Sequence, residues 1–160
     1  MSATFESLLA RVQALLMDDA GRVFGATALA EGLRLALGEL NLARAAEGLP
    51  AQALAGLDGA PETTLSDGYA TPLVLGAAGY TAAARAVDRA ESFEMAHEAG
   101  DLSAWAALRL GEFRAMLAVL HPTYAPGASA AAQARSEESA RRADLRIANN
   151  TPWGTWEEEE

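Results

Sequence analysis

Hydrophobic residues recur along this chain at helical spacing, and no stretch alternates apolar and polar as a half-buried strand does. The first stripe is Phe5, Leu8, Leu9, Val12, Leu15 and Leu16. It predicts a helix capped by Thr4 or Ser2, with Gly21 just past its end. Asp18 and Asp19 follow near that C-terminus, where the macrodipole disfavours acids, so they are expected as solvated loop acids. A second helix is predicted over residues 27–46, with Thr27 as N-cap and Gly48 and Pro50 as the stop. Leu29, Leu33, Ala36, Leu37 and Leu40 form its buried face. Leu35 and Leu42 lie off that stripe and suggest cover on two sides. Gly32 and Gly38 each cost on the order of 1 kcal/mol against Ala inside a helix, which predicts close helix packing there.

Between residues 48 and 68 the pattern breaks. Gly48, Pro50, Gly56, Gly59, Pro61 and Gly68 punctuate a long loop, expected to carry one short helical turn over residues 51–57. Loops of this length often mark a contact or functional segment. The weakly polar run 69–84 reads as a buried helix. It starts at Thr71 as N-cap with Pro72 behind it, passes through Leu73, Val74, Ala77, Tyr80, Ala84 and Val87, and is expected to reach His97 or Ala99 before Gly100. A fourth helix then runs from Asp101 through Trp105, Leu108, Phe113, Met116, Leu117 and Leu120. His121-Pro122 ends it, because a residue before proline avoids the helical region. So short a connection predicts an antiparallel hairpin of these two helices.

After a turn at 123–127, residues 128–148 read as a helix by propensity, with Leu145 and Ile147 as the only large apolar residues. Such a helix is either solvated or packed on a partner. The tail, 149–160, holds Pro152, Trp153, Gly154, Trp156 and four terminal glutamates. Disordered segments are poor in aromatics. A buried tryptophan removes 150–250 Å² from water, roughly 4–6 kcal/mol before ordering costs, so Trp153 and Trp156 read as anchors on another subunit. The whole predicts an all-α chain: an antiparallel bundle of about four helices over residues 1–127, then a C-terminal helix and extended tail over 128–160.

Composition narrows the chemistry. The 160 residues carry 22 acids against 12 basic residues, a net charge of −10, and every basic residue is arginine. That balance argues against wrapping a nucleic-acid backbone, which needs clustered cations, and no sequence-specific nucleic-acid binding is expected. No stretch reaches the ~18 apolar residues of a membrane span without charge. Glu6 and Arg11 interrupt the first apolar stripe, so no signal peptide is expected. With no cysteine, disulfides, zinc–thiolate sites and cysteine nucleophiles are excluded. Glu91, Glu94, His97 and Glu98 share the third predicted helix, and Glu94 and His97 have the Glu-x-x-His spacing of di-iron bundles. A second such motif is missing, since Ala118 stands three residues before His121. A solvated face paired with Arg89 is therefore expected rather than a metal. Phosphate-loop and nucleophile-elbow glycine motifs are absent, and neither histidine has the context of a serine triad. Asn149-Asn150-Thr151 matches a glycosylation acceptor, but nothing suggests secretion. No catalytic residue and no cofactor is expected.

The order of segments resembles the head–tail connector proteins of tailed phages, also called adaptor, head-completion or neck proteins. The resemblance rests on an opening helix leading to Asp18-Asp19 and the helix over 29–41. The wording Leu57-Asp58-Gly59-Ala60 and Thr63-Thr64-Leu65 follows, then Leu73-Val74-Leu75-Gly76-Ala77-Ala78-Gly79-Tyr80. Arg85, Arg89 and residues 91–93, the helix ending in Phe113 and Leu117, and the long polar C-terminal segment complete it. It implies a self-associating ring, usually dodecameric, beneath the portal protein. The C-terminal segment would embrace the portal, and the other end would receive the next neck component, a stopper or tail-completion protein. DNA would pass through the lumen, in a virion neck assembled in the host cytoplasm. On that resemblance Trp153 and Trp156 would anchor on the portal, with Arg141, Arg142, Arg146 and Ile147 at the same interface. Net negative charge suits a channel through which DNA slides without sticking. From the residues alone two other classes stand beside this one: a small helical regulatory or scaffold protein with a Trp-bearing binding tail, and a metal-dependent helical enzyme.

Overall fold

The structure, a computed structural model, describes residues 4–18, 20–91 and 96–124. The chain divides into two units, Met1–Tyr124 and Ala125–Glu160, and every described residue belongs to the first. Four α-helices form it: α1 (Phe5–Leu15), α2 (Ala26–Ala46), α3 (Ala70–Glu91) and α4 (Ala96–Leu120). There is no strand among the described residues, and the fold class is all-α.

The start of α1 follows from its cap. Thr4 Oγ1 accepts from the Ser7 backbone, and Ser7 Oγ accepts from the Thr4 backbone, so two orphan amides of the first turn are satisfied reciprocally. Leu8 and Val12 are fully buried. α2 begins one residue earlier than its sequence suggests, with Gly25 rather than Thr27 as N-cap. α3 grows directly out of a 3-10 turn at Asp67–Tyr69, so Thr71 lies inside its first turn instead of capping it. Pro72 is tolerated there because first-turn amides have no intrahelical acceptor.

The break between the last two helices lies well before Gly100. α3 stops at Glu91, and α4 already runs at Ala96, carrying Gly100 and Asp101 in its body. Glu91 and His97 are thus on different helices, which removes the single-helix face expected for Glu91, Glu94, His97 and Glu98. Glu94 itself lies outside the described residues.

α3 is the central helix, packed chiefly on α4 and α2 and also on α1. Register follows from its close approaches. Gly76 faces Phe113 and Gly79 faces Leu110, so α3 and α4 run antiparallel. Gly32 faces Thr81 and Ala77, and Ala36 faces Gly76, so α2 is antiparallel to α3 as well. Gly32 is indeed a packing glycine: a Cβ there would stand 2.6 Å from the Ala77 carbonyl oxygen. Gly38 is not, having nothing within 4 Å. The core joins Leu29, Leu33 and Leu40 of α2 to Leu73, Val74 and Ala77 of α3 and Phe113 and Leu117 of α4.

The long loop contains no helical turn at 51–57. It is held by side chains instead. Asn41 donates to the Gln52 carbonyl (3.0 Å) and accepts from the Gln52 amide (2.7 Å). Thr64 and Thr63 accept from the amides of Ala53 and Ala55. So fastened, the loop buries Leu54, Leu57 and Leu65 in the core.

Asp18 is buried rather than solvated, at 5% exposure. Its carboxylate accepts three backbone N–H bonds, from Phe24 (2.7 Å), Arg22 (2.8 Å) and Val23 (3.0 Å). Those bonds, the one from Phe24 first, hold its carboxyl below the usual aspartate value against the opposing effect of burial.

Candidate functional site

Glu39 of α2 and Glu47, the cap of its C-terminal end, stand eight residues apart and reach across to α4 and the residues just beyond it. Glu39 accepts from Arg114 Nε (2.8 Å), from the Tyr124 hydroxyl (2.5 Å) and from the Tyr80 hydroxyl. Burial alone would raise its carboxyl, and the bonds from Arg114, Tyr124 and Tyr80 outweigh that and hold it low. Burial and the Glu39 charge push the Tyr80 and Tyr124 hydroxyls up in turn.

Glu47 accepts from His121 Nδ1 (2.8 Å) and from the Thr123 hydroxyl (3.2 Å), and the bond from His121 is the main reason its carboxyl is lowered. His121 is 2% exposed, and its Nε2 lies 3.2 Å from the Tyr69 hydroxyl. Arg44 donates to that same hydroxyl (2.7 Å) and to the Pro50 carbonyl (2.8 Å). The His121 ring thus bridges the Tyr69 hydroxyl and the Glu47 carboxylate, with Arg44 donating to Tyr69 from the other side. Such a His–Glu pair has the makings of a base, but its reactive nitrogen is engaged and buried. What it does here is fix the first residues past α4.

Glu39→Ala is expected to destabilise the chain by about 1–3 kcal/mol. That is below the ~3–5 of a fully buried pair, because Arg114 is 41% exposed and water screens it. Urea unfolding reads this directly, and an effect under about 0.5 kcal/mol would sink the role given to the cluster. The sign of its pH dependence is fixed. Glu39 and Glu47 are lowered from 4.5 and Asp18 from 3.8, so their contribution is complete above those values and is lost as pH falls through the lowered ones. Acid titration of a Glu39→Gln chain should show a shallower stability loss below about pH 4.5 than the wild type.

The second feature is the outer side of α4. The seven residues of 104–120 that are exposed as a whole are apolar, Ala104, Ala107, Leu108, Gly111, Ala115, Val119 and Leu120, with the partly exposed side chains of Glu112 and Arg114 (41% each) beside them. Leu108 is 56% exposed and Val119 79%. The charged residues of this stretch turn aside instead, Arg109 to Glu112 and Arg114 to Glu39. Leu108 and Leu120, two of the apolar residues that mark the fourth helix in the sequence, belong to this outer face. Leu35 and Leu42 on α2 are also exposed, so no second cover is supplied among the described residues.

The remaining sequence-derived positions are quickly placed. Trp153, Trp156, Arg141, Arg142, Arg146 and Ile147 lie outside the described residues, as do the side chains of Glu91, His97 and Glu98. Among the described residues no group of three His, Cys, Asp or Glu could hold a metal, and no helix is long and apolar enough to cross a membrane. No family model matches the chain, and no curated protein or solved structure matches it either.

Proposed function

We propose that this chain is a structural subunit of a tailed-phage neck, a head–tail adaptor that self-associates into a dodecameric ring under the portal protein. In this reading the helices form a bundle, and residues 128–160 supply a further helix and extended tail. Arg141, Arg142, Arg146, Ile147, Trp153 and Trp156 face the portal and neighbouring copies, and the next neck component sits at the other end. The observation that carries the reading is the outer side of α4, where seven exposed positions are apolar and the partly exposed Glu112 and Arg114 are held in ion pairs. Contiguous exposed apolar surface on an acidic chain marks a protein–protein contact, and small residues let another helix approach closely. The order of segments resembles the adaptors, and the net charge of −10 suits a lumen through which DNA slides.

Quantitative mass spectrometry of purified virus particles tests it. One copy of this chain per portal subunit is expected. Absence from intact, tailed particles would overturn the reading and leave a regulatory or scaffold protein in its place. A chain carrying Leu108→Glu and Ala115→Glu is expected to keep its helical circular dichroism and to lose self-association by light scattering. Both substitutions fall at exposed positions, so unchanged assembly would remove α4 from the interface.

A further inference from the structure

A groove of about 270 Å³ opens beside the end of α1, lined by Leu15, Leu16 and Phe24, by Leu102 and Trp105 of α4, and by Arg85 of α3. Its rim is unusual. Met17 is 93% exposed with a left-handed φ of 54°, and Val23 is 47% exposed. The three bonds to Asp18 fix the 22–24 backbone, so the rim is already formed in the single chain.

The groove is apolar with one cation at its edge. Arg85 Nη1 pairs with Asp88 at 2.6 Å, while its buried Nε has no hydrogen-bond partner among the described residues. Metabolite and cofactor sites run to about 300–1,000 Å³, so this volume suits a single bulky side chain instead. The occupant that fits is an aromatic residue followed by carboxylates. The chain carries that sequence in its own tail, where Trp156 is followed directly by Glu157 to Glu160. The 32 residues from Tyr124 to Trp156 span up to about 110 Å when extended, ample to reach another copy. Trp105 lies one helical turn from Leu108 of the outer face, so a copy held on α4 stands near the groove.

We propose that this groove receives Trp156 from the tail of a second copy, with the glutamates that follow pairing with Arg85. The inference rests on the self-association proposed above and names the contact that links neighbours. A fluorescent peptide of residues 149–160 is titrated into full-length chain carrying Trp156→Ala, so that no native tail competes. Saturable binding is expected. Trp156→Ala in the peptide should weaken it by about tenfold or more, the scale of a buried aromatic anchor. Arg85→Gln in the chain should weaken it several-fold while leaving circular dichroism unchanged, and added salt should do the same. No saturable binding, or equal affinity for the two peptides, overturns the proposal. The Arg85→Gln chain, which keeps its tail, is then mixed with the Trp156→Ala chain, which keeps its groove. Association beyond that of either alone is expected. Peptide binding without such association would place the tail on its own chain and overturn the role of a second copy. Loss of the adaptor reading reads out separately, as absence from particles with peptide binding intact.

Discussion

Phe113→Ala should lower the stability of the chain by about 3–5 kcal/mol, the range for truncating a buried aromatic to alanine. Phe113 is fully buried. It sits where three helices meet: a Cβ on Gly76 would lie 2.9 Å from its ring and 3.0 Å from Ala36. The ring therefore occupies space that α3 leaves by having no side chain at 76 and that α2 leaves with only a methyl group at 36. Collapse into the vacated volume would need α4 to move against two helices at once, so most of the cavity should persist. Chemical denaturation gives the number through the shift in midpoint at constant slope. A loss under about 1 kcal/mol would mean the three-helix junction packs differently, since even an Ile→Val change in a core costs that much. Phe113→Leu, which keeps much of the volume, should cost far less.

Two glycines of α2 should respond to the same substitution with opposite signs. At Gly38 a methyl group meets nothing within 4 Å, so Gly38→Ala should stabilise by about 0.5–1 kcal/mol through helix propensity. At Gly32 a Cβ would stand 2.2 Å from Thr81 Oγ1 and 2.6 Å from the Ala77 carbonyl oxygen. Thr81 can rotate away, giving up its bond to the Ala28 carbonyl, but the Ala77 oxygen belongs to the backbone of α3. The helices must separate or the alanine must not fit. Overpacking of this kind costs about 1–3 kcal/mol, and here the whole α2–α3 contact is strained, so a net loss near the upper end is expected despite the propensity gain. Thermal melting of both variants beside the wild type decides it. Stabilisation by both would mean that α2 and α3 lie farther apart than described.

These contrasts also mark what the sequence disclosed. The α1 stripe, its Thr4 cap, the buried run in α3 and the stop at His121-Pro122 are local patterns, and local patterns were readable. Gly32 and Gly38 look alike in sequence, because whether a glycine lies under another helix depends on residues some fifty positions away. Gly100 failed as a stop for a related reason: its cost of about 1 kcal/mol is small beside what a 25-residue helix gains by packing. Asp18 was misjudged because the dipole rule weighs its charge and ignores its lone pairs, which the turn at 22–24 fills with amides. Glu39 and Glu47 look like solvated positions on the polar side of α2, and their partners lie 75 and 74 residues away. The outer side of α4 leaves no period of its own in the sequence, because periodicity alone does not tell its inner stripe from its outer one.

The bonds to Glu39 and Glu47 have a mechanical consequence. Tyr124, Thr123 and His121 are each tied to α2 within four residues of one another. A pull on the chain beyond residue 124 would therefore not peel away the last turn of α4. It would be divided among three side-chain bonds and passed to the middle and end of α2, which is itself packed on α3. Traction that would unwind a free helix end is thus shared with a second helix.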